Sequence, residues 1–148
     1  VHARRLACVP TVELIDPQTL TEADLVGLYE SVGWSAYTRD PEKLLASVRG
    51  SHRVAVARSG ADLVGLARTI SDGATIVYLQ DVLVRPEVRR DGLGSRLVRA
   101  VLDADPDVRQ RVLLTDAEPG QRAFYTALGF TEAHDHDPGL RAFVRMSV

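Results

Sequence analysis

Tyr78-Leu-Gln-Asp-Val-Leu-Val-Arg-Pro-Glu-Val-Arg-Arg-Asp-Gly-Leu-Gly-Ser-Arg-Leu-Val98 carries an apolar strand through an arginine- and glycine-rich turn into an amphipathic helix. Ile76 to Val84 is dense in β-branched and aromatic residues, interrupted by the polar pair Gln80-Asp81. Pro86 cannot donate to a sheet ladder, so the strand finishes near Arg85. From Leu93 the apolar positions Leu93, Leu97, Val98, Val101 and Leu102 fall on one helical face. Between the two elements lies Arg89-Arg90-Asp91-Gly92-Leu93-Gly94-Ser95. The first N–H groups of a helix have no partner within it and carry partial positive charge. A phosphate can satisfy them, and glycines let it come close to the backbone. The stretch therefore reads as a phosphate cradle, with an ordinary βα turn flanked by solvated arginines as the alternative. Two other phosphate loops do not fit. Gly92-Leu-Gly94-Ser-Arg-Leu97 lacks the third glycine of a dinucleotide fingerprint, and the only lysine is Lys43, so there is no Gly-Lys-Ser/Thr.

Arg89-x-x-Gly92-x-Gly94 after the strand end Val82-Leu-Val84-Arg-Pro86 resembles the acyl-CoA signature of the GNAT N-acetyltransferase superfamily. Downstream, Ala123-Phe-Tyr125-Thr-Ala-Leu-Gly129-Phe130 is similar to the second hallmark of that family. With the order of elements, the resemblance covers nearly the whole chain. It implies a single α/β domain over residues 11–148, after an N-terminal extension (residues 1–10) expected to fray. The implied sheet is mixed and mostly antiparallel, with a splayed parallel pair at its centre and about four flanking helices. It also implies acetyl-CoA as co-substrate, with direct transfer to an amine in a ternary complex. Val82, Leu83 and Val84 would hold the pantetheine arm, and Arg89, Arg90, Asp91, Gly92, Leu93, Gly94 and Ser95 the phosphates. Asp91 departs from the family pattern, which favours small or basic residues there.

Composition bounds the function. The chain has 148 residues, 45% of them apolar and 26% charged, which suits one folded domain and not a disordered segment. A net charge of −2 gives no general attraction to nucleic acid or anionic membrane, so any phosphate site must be local. One cysteine, Cys8, excludes an internal disulfide and suits a reducing cytoplasm. No stretch approaches the roughly eighteen apolar residues of a membrane span.

Taken in order, Thr11 to Ile15 reads as a strand. Thr21 and Asp24 signal a helix start running to about Ser31, with Gly33 as its stop. Asp40-Pro41 starts another helix, ending at Gly50. His52 to Arg58 and Leu63 to Ile70 read as strands, and Asp72-Gly73 turns the chain into the Ala74 to Val84 strand, giving an antiparallel meander. Arg111 to Thr115 should run parallel to that strand, because a helix connects the two. Gln121 to Leu128 reads as a short helix closed by Gly129. Thr131 to His134 and Leu140 to Met146 read as a final strand pair, whose exposed edge could join two subunits as a homodimer.

The chemistry makes further demands. An alkyl amine with a pKa near 10.4 is only about a few parts in 10⁴ neutral at pH 7, so a carboxylate or a water chain must take its proton. Asp81 is the first candidate and Glu118 a weaker second; the alternative for Asp81 is a hydrogen-bonding anchor. The polar break at Gln80-Asp81 is where a β-bulge would open the sheet. Tyr125 stands where the family places the tyrosine that protonates the departing thiolate, and its other reading is an amphipathic core residue. Trp34 and Tyr37, with Tyr29, Gln80 and Asp116, are candidates to line the acceptor site; Trp34 and Tyr37 equally suit the plugging of a core edge. No Cys, His and acid cluster has metal-ligand spacing, and His134-Asp-His136-Asp137 reads as a polar turn. The expected activity is acetyl transfer to a small-molecule amine. A protein or peptide N-acetyltransferase and a catalytically silent acyl-CoA-binding regulator are the alternatives.

Overall fold

The computed structural model describes residues 9–89 and 91–147. The expected extension over residues 1–10 lies almost wholly outside them. The described chain groups into two compact units, divided between Leu114 and Thr115.

The first unit is built on β1 (Thr11–Ile15), α1 (Glu22–Ser31), α2 (Ser35–Thr38), α3 (Pro41–Arg49), β2 (Arg53–Ser59), β3 (Asp62–Ser71), β4 (Ile76–Val84), α4 (Leu93–Asp103) and β5 (Gln110–Leu113). The helix starts are those the sequence signals. Thr21 Oγ1 accepts from the Asp24 amide at 3.2 Å, and Asp40 Oδ1 accepts from the Lys43 amide at 3.1 Å with Pro41 at the first helical position. Each cap satisfies one orphan donor.

The five strands follow chain order, β1-β2-β3-β4-β5, antiparallel throughout except for the parallel β4–β5 pair. Successive side chains of a strand point to opposite faces. Accordingly Leu66 joins the α1 and α3 core with Leu25, Leu28, Leu44 and Val48, whereas a Cβ at the neighbouring Gly65 would meet Leu97 of α4 at 2.9 Å. The sheet thus has α1 and α3 on one face and α4 on the other, which is why residues 54–57 and 63–69 are buried throughout. Each fully buried leucine here contributes roughly 1.5–3 kcal/mol of transfer free energy.

The fold class read from the sequence is the one observed, with two differences. Residues 131–147 contain no strand, only a single 3-10 turn at Ala133–Asp135. In consequence β5 ends the sheet, the parallel pair lies at its edge, and the strand pair on which a homodimer edge was read is missing. Alternation alone does not make a strand, because a strand also needs a neighbour to bond to. The second difference is an additional helix, α2, a single turn within the aromatic loop.

The second unit contains α5 (Pro119–Ala127). Its C-terminus is a Schellman closure: Gly129, at φ 92°, donates to the Thr126 carbonyl, and the Phe130 amide donates to the Tyr125 carbonyl. The same closure seats the Phe130 ring 5.9 Å from that of Tyr125. The Tyr125…Gly129-Phe130 motif is thereby explained as a helix end.

Candidate functional site

Two features of β4 define the site. The first is a bulge. Asp81 lies opposite Arg68 and Leu79 opposite Thr69, so Gln80 is an extra residue with no partner on β3. The second is a parting of strands. β5 pairs only with Ile76 to Leu79, and from Gln80 to Val84 it no longer follows β4. The polar break in the sequence therefore coincides with both, and leaves one backbone edge of Val82, Leu83 and Val84 without a strand neighbour among the described residues.

The turn after β4 leads to α4. Gly92 caps that helix at φ 69°, a left-handed conformation that excludes most side chains, with no atom within 4 Å of a Cβ built there. No side chain caps the helix, and the first amide with an intrahelical acceptor is that of Arg96, bonded to the Gly92 carbonyl at 3.1 Å. The amides of Leu93, Gly94 and Ser95 have no acceptor among the described residues. Arg89 is exposed, and its Nε donates to the Val84 carbonyl at 3.1 Å, tying the loop to the strand end. Asp91 is exposed and Arg90 lies outside the described residues. Amides without an acceptor among the described residues, an open glycine and a fixed arginine at the end of a parted strand match the needs of a pyrophosphate with an extended arm. The residues present fit coenzyme A.

Beside the bulge lies a buried polar cluster. Asp81 is 3% exposed and Arg68 4%. Arg68 Nε donates to Asp81 Oδ2 at 2.6 Å and Tyr29 Oη donates to the same oxygen at 2.8 Å. Tyr37 Oη donates to Asp81 Oδ1 at 3.0 Å and accepts from Gln80 Nε2 at 3.3 Å. Arg68 Nη1 reaches the Ser47 carbonyl and Ser51 Oγ, both at 3.3 Å. Burial, then the Asp81 charge, pushes both phenols above their ordinary range, so they stay protonated. For Arg68 burial alone would lower the pKa, but Asp81 outweighs it and the guanidinium stays charged.

This geometry bears on Asp81 as a proton acceptor. Both its oxygens already accept hydrogen bonds, its charge is matched by Arg68, and it is almost wholly enclosed. The hydrogen bonds are of the kind an anchor makes, the other reading named for this residue. Arg68 had no role in the sequence reading. Its signal was a single arginine within an apolar strand, facing an aspartate across the Asp72-Gly73 hairpin.

The aromatic loop has a structural cause as well. The Gly33 amide donates to the Glu30 carbonyl and the Trp34 amide to the Tyr29 carbonyl, another Schellman closure, with Trp34 folded back on Tyr29 at 5.8 Å between rings. Tyr37 completes a triangle, 5.1 Å from Tyr29 and 5.9 Å from Trp34. Trp34 and Tyr37 pack on the core while remaining half-buried.

Tyr125 and Asp116 belong to the second unit. Tyr125 is half-buried between Phe124 and Phe130, and burial, followed by the Asp116 charge, raises its pKa. Asp116 is exposed and accepts from the Glu118 amide at 3.1 Å. Glu132, His134 and Asp135 bring ligand atoms within 4.8 Å of one another, all exposed, with Arg122 paired to both acids. Among the described residues no helix is long and apolar enough to cross a membrane.

Comparison with known proteins agrees with this geometry. The acetyltransferase (GNAT) domain family matches residues 50–132. The chain is 35% identical over 131 residues to GCN5-related N-acetyltransferase 2, chloroplastic, of Arabidopsis thaliana, a match covering 72% of this chain and 48% of that protein. It is 35% identical over 92 residues to the PanD regulatory factor of Salmonella typhimurium, covering 60% of this chain and 72% of that one. A solved GNAT family acetyltransferase from Streptococcus pneumoniae superposes with a TM-score of 0.78 at 26% identity, covering 93% of this chain and 98% of its own. The chain belongs to the GNAT acetyltransferase family, whose members use acetyl-CoA or coenzyme A. It spans about half the length of the Arabidopsis protein.

Proposed function

We propose that this protein is an acetyl-CoA-dependent N-acetyltransferase acting on a small-molecule amine, with residues 11–148 working as one catalytic domain. The observation that carries the reading is the conjunction of the Leu93, Gly94 and Ser95 amides with the Val82 to Val84 edge, which have no acceptor and no strand neighbour among the described residues. The amides would take the pyrophosphate, with Arg89 and Arg90 beside them, and the strand edge would bond the pantetheine arm as though it were a further strand. A backbone N–H of the same stretch would polarise the thioester carbonyl.

In this reading the neutral amine attacks the thioester carbon. A C–N bond forms, the C–S bond breaks, and the amine proton leaves to solvent water. Tyr125, kept protonated by its raised pKa, donates its proton to the departing thiolate and regains one from water. Asp81 takes the anchoring role, since its oxygens are already engaged. Tyr29, Trp34, Tyr37, Gln80 and Asp116 are proposed for the acceptor side, with Tyr29 acting through the aromatic cluster. A cytoplasmic setting, which the single cysteine suits, belongs to the same proposal.

A second reading is a catalytically silent acyl-CoA-binding regulator, favoured by the likeness to the PanD regulatory factor. Release of free thiol from acetyl-CoA, followed across a panel of small amines and a lysine peptide, separates the possibilities. Turnover with a small amine supports the proposal, and turnover only with peptide moves the acceptor to protein. Coenzyme A binding without turnover on any acceptor favours the regulator.

A further inference from the structure

The cluster around Asp81 is a chain of hydrogen bonds with a buried middle, one end of which reaches the bulge of β4. Ser47 and Ser51 hold Arg68, Arg68 and Tyr29 hold Asp81, and Asp81 holds the Tyr37 hydroxyl. Arg68, Asp81 and Tyr29 are buried, whereas Ser47 and Ser51 at one end and Tyr37 and Gln80 at the other are half-buried. Tyr37 Oη spends its proton on Asp81 and takes one bond from Gln80, and a phenol oxygen so placed retains capacity to accept another. Gln80 is the bulge residue, at the point where β5 leaves β4. An orienting device therefore ends beside the parted strands.

Charge narrows what could use it. Asp81 and Arg68 cancel, so the cluster offers a polycation no net attraction, while an amine N–H meets an acceptor of fixed direction. The Tyr37 ring that carries that acceptor packs on Trp34, 5.9 Å between ring centroids, and an aromatic body suits such a surface.

We infer that Arg68 and Asp81 are positioning residues that orient the Tyr37 hydroxyl and the Gln80 amide as contacts for the amine of an aryl-bearing monoamine. The inference deepens the acetyl-transfer proposal and rests on it for the amine as ligand. Asp81 acts through Tyr37 and does not itself touch the acceptor.

Trp34 is the only tryptophan and lies 5.9 Å from Tyr37, so its emission reports on this position. The test titrates 2-phenylethylamine and, separately, spermidine into the full chain with saturating coenzyme A, following Trp34 fluorescence. The expected result is saturable binding of 2-phenylethylamine, about tenfold weaker in Tyr37→Phe and in Asp81→Asn, and much weaker binding of spermidine. Because Asp81 works through the hydroxyl, the double variant Tyr37→Phe/Asp81→Asn should bind no more weakly than Tyr37→Phe alone. Tyr37→Phe keeps the ring and its packing but removes the donor to Asp81 Oδ1, so its thermal midpoint should fall by only a few degrees and the protein stays folded through the titration.

Unchanged binding in Tyr37→Phe, losses that add in the double variant, tighter binding of spermidine, or no saturable signal would each overturn the inference. Coenzyme A calorimetry, run beside the titration, keeps the two claims apart. Heat on binding coenzyme A without any Tyr37 dependence removes only the inference, whereas absence of that heat removes the acetyl-transfer proposal.

Discussion

Replacing Arg68 by Met removes a buried cation and leaves its partner charged. The two side chains are 5% and 2% exposed and meet at 2.6 Å, so solvent screens little of the interaction. Losing one member of such a pair costs about 3–5 kcal/mol, because the remaining charge stays buried. Asp81 would keep the donors Tyr29 and Tyr37, which places the cost toward the lower figure. Arg68 also bonds to Ser47 and Ser51, and those contacts add about 1 kcal/mol. A total near 4 kcal/mol is a large share of the roughly 5–15 kcal/mol that stabilises a domain of this kind. Asp81→Asn should cost about 3 kcal/mol for the converse reason, a buried guanidinium left without its partner. The double variant Arg68→Met/Asp81→Asn holds no unpaired charge, and the Asn carbonyl still accepts from a tyrosine. Its stability should match that of the single variants, a coupling of about 3–4 kcal/mol. Urea unfolding followed by Trp34 emission and far-UV circular dichroism measures all four proteins. Single variants that each lose under about 1 kcal/mol, with additive effects, would refute this account of the cluster.

Three further outcomes are expected. Gly92→Ala meets no atom within 4 Å, so its cost is conformational strain at φ 69°, about 1–2 kcal/mol by urea unfolding; a stabilised variant would contradict the left-handed cap. Tyr125→Phe should lower kcat for acetyl transfer at least tenfold with an unchanged thermal midpoint, and full turnover would remove the acid role. Asp105 gives an acid limb to stability: burial would raise its pKa, but hydrogen bonds from Arg53 and His52 outweigh this and depress it. A group depressed on folding stabilises above its unfolded pKa, near 3.9, and that contribution is lost as pH falls through the lower folded value. Asp105→Asn should therefore flatten the loss of stability below pH 4 in thermal melts.

Much of the fold was legible because local chemistry and global role coincide. Thr21, Asp40 and Gly92 mark helix starts by satisfying or freeing particular amides, and those signals are complete within a few residues. Gln80-Asp81 marked the bulge because two polar residues inside an apolar strand fit only where the ladder breaks. The Arg68–Asp81 pair was hidden because it depends on register: one residue of slip would send Arg68 to the opposite face. The tail failed for a related reason. Leu140 to Met146 alternates as a strand would, yet Phe143 is 87% exposed and Met146 75%, and pattern alone supplies no bonding partner. The helix end at Gly129 was legible, while the seating of Phe130 against Tyr125 by that closure emerged only from the backbone bonds and ring geometry.

The central claim is that the α4 amides and the parted edge of β4 bind coenzyme A. Isothermal titration calorimetry of the full chain with coenzyme A, at low and high salt, tests it most directly. The account predicts one-site binding that weakens as salt rises and is about tenfold poorer in Arg89→Ala. No heat at millimolar coenzyme A, or binding indifferent to both salt and Arg89, would contradict it.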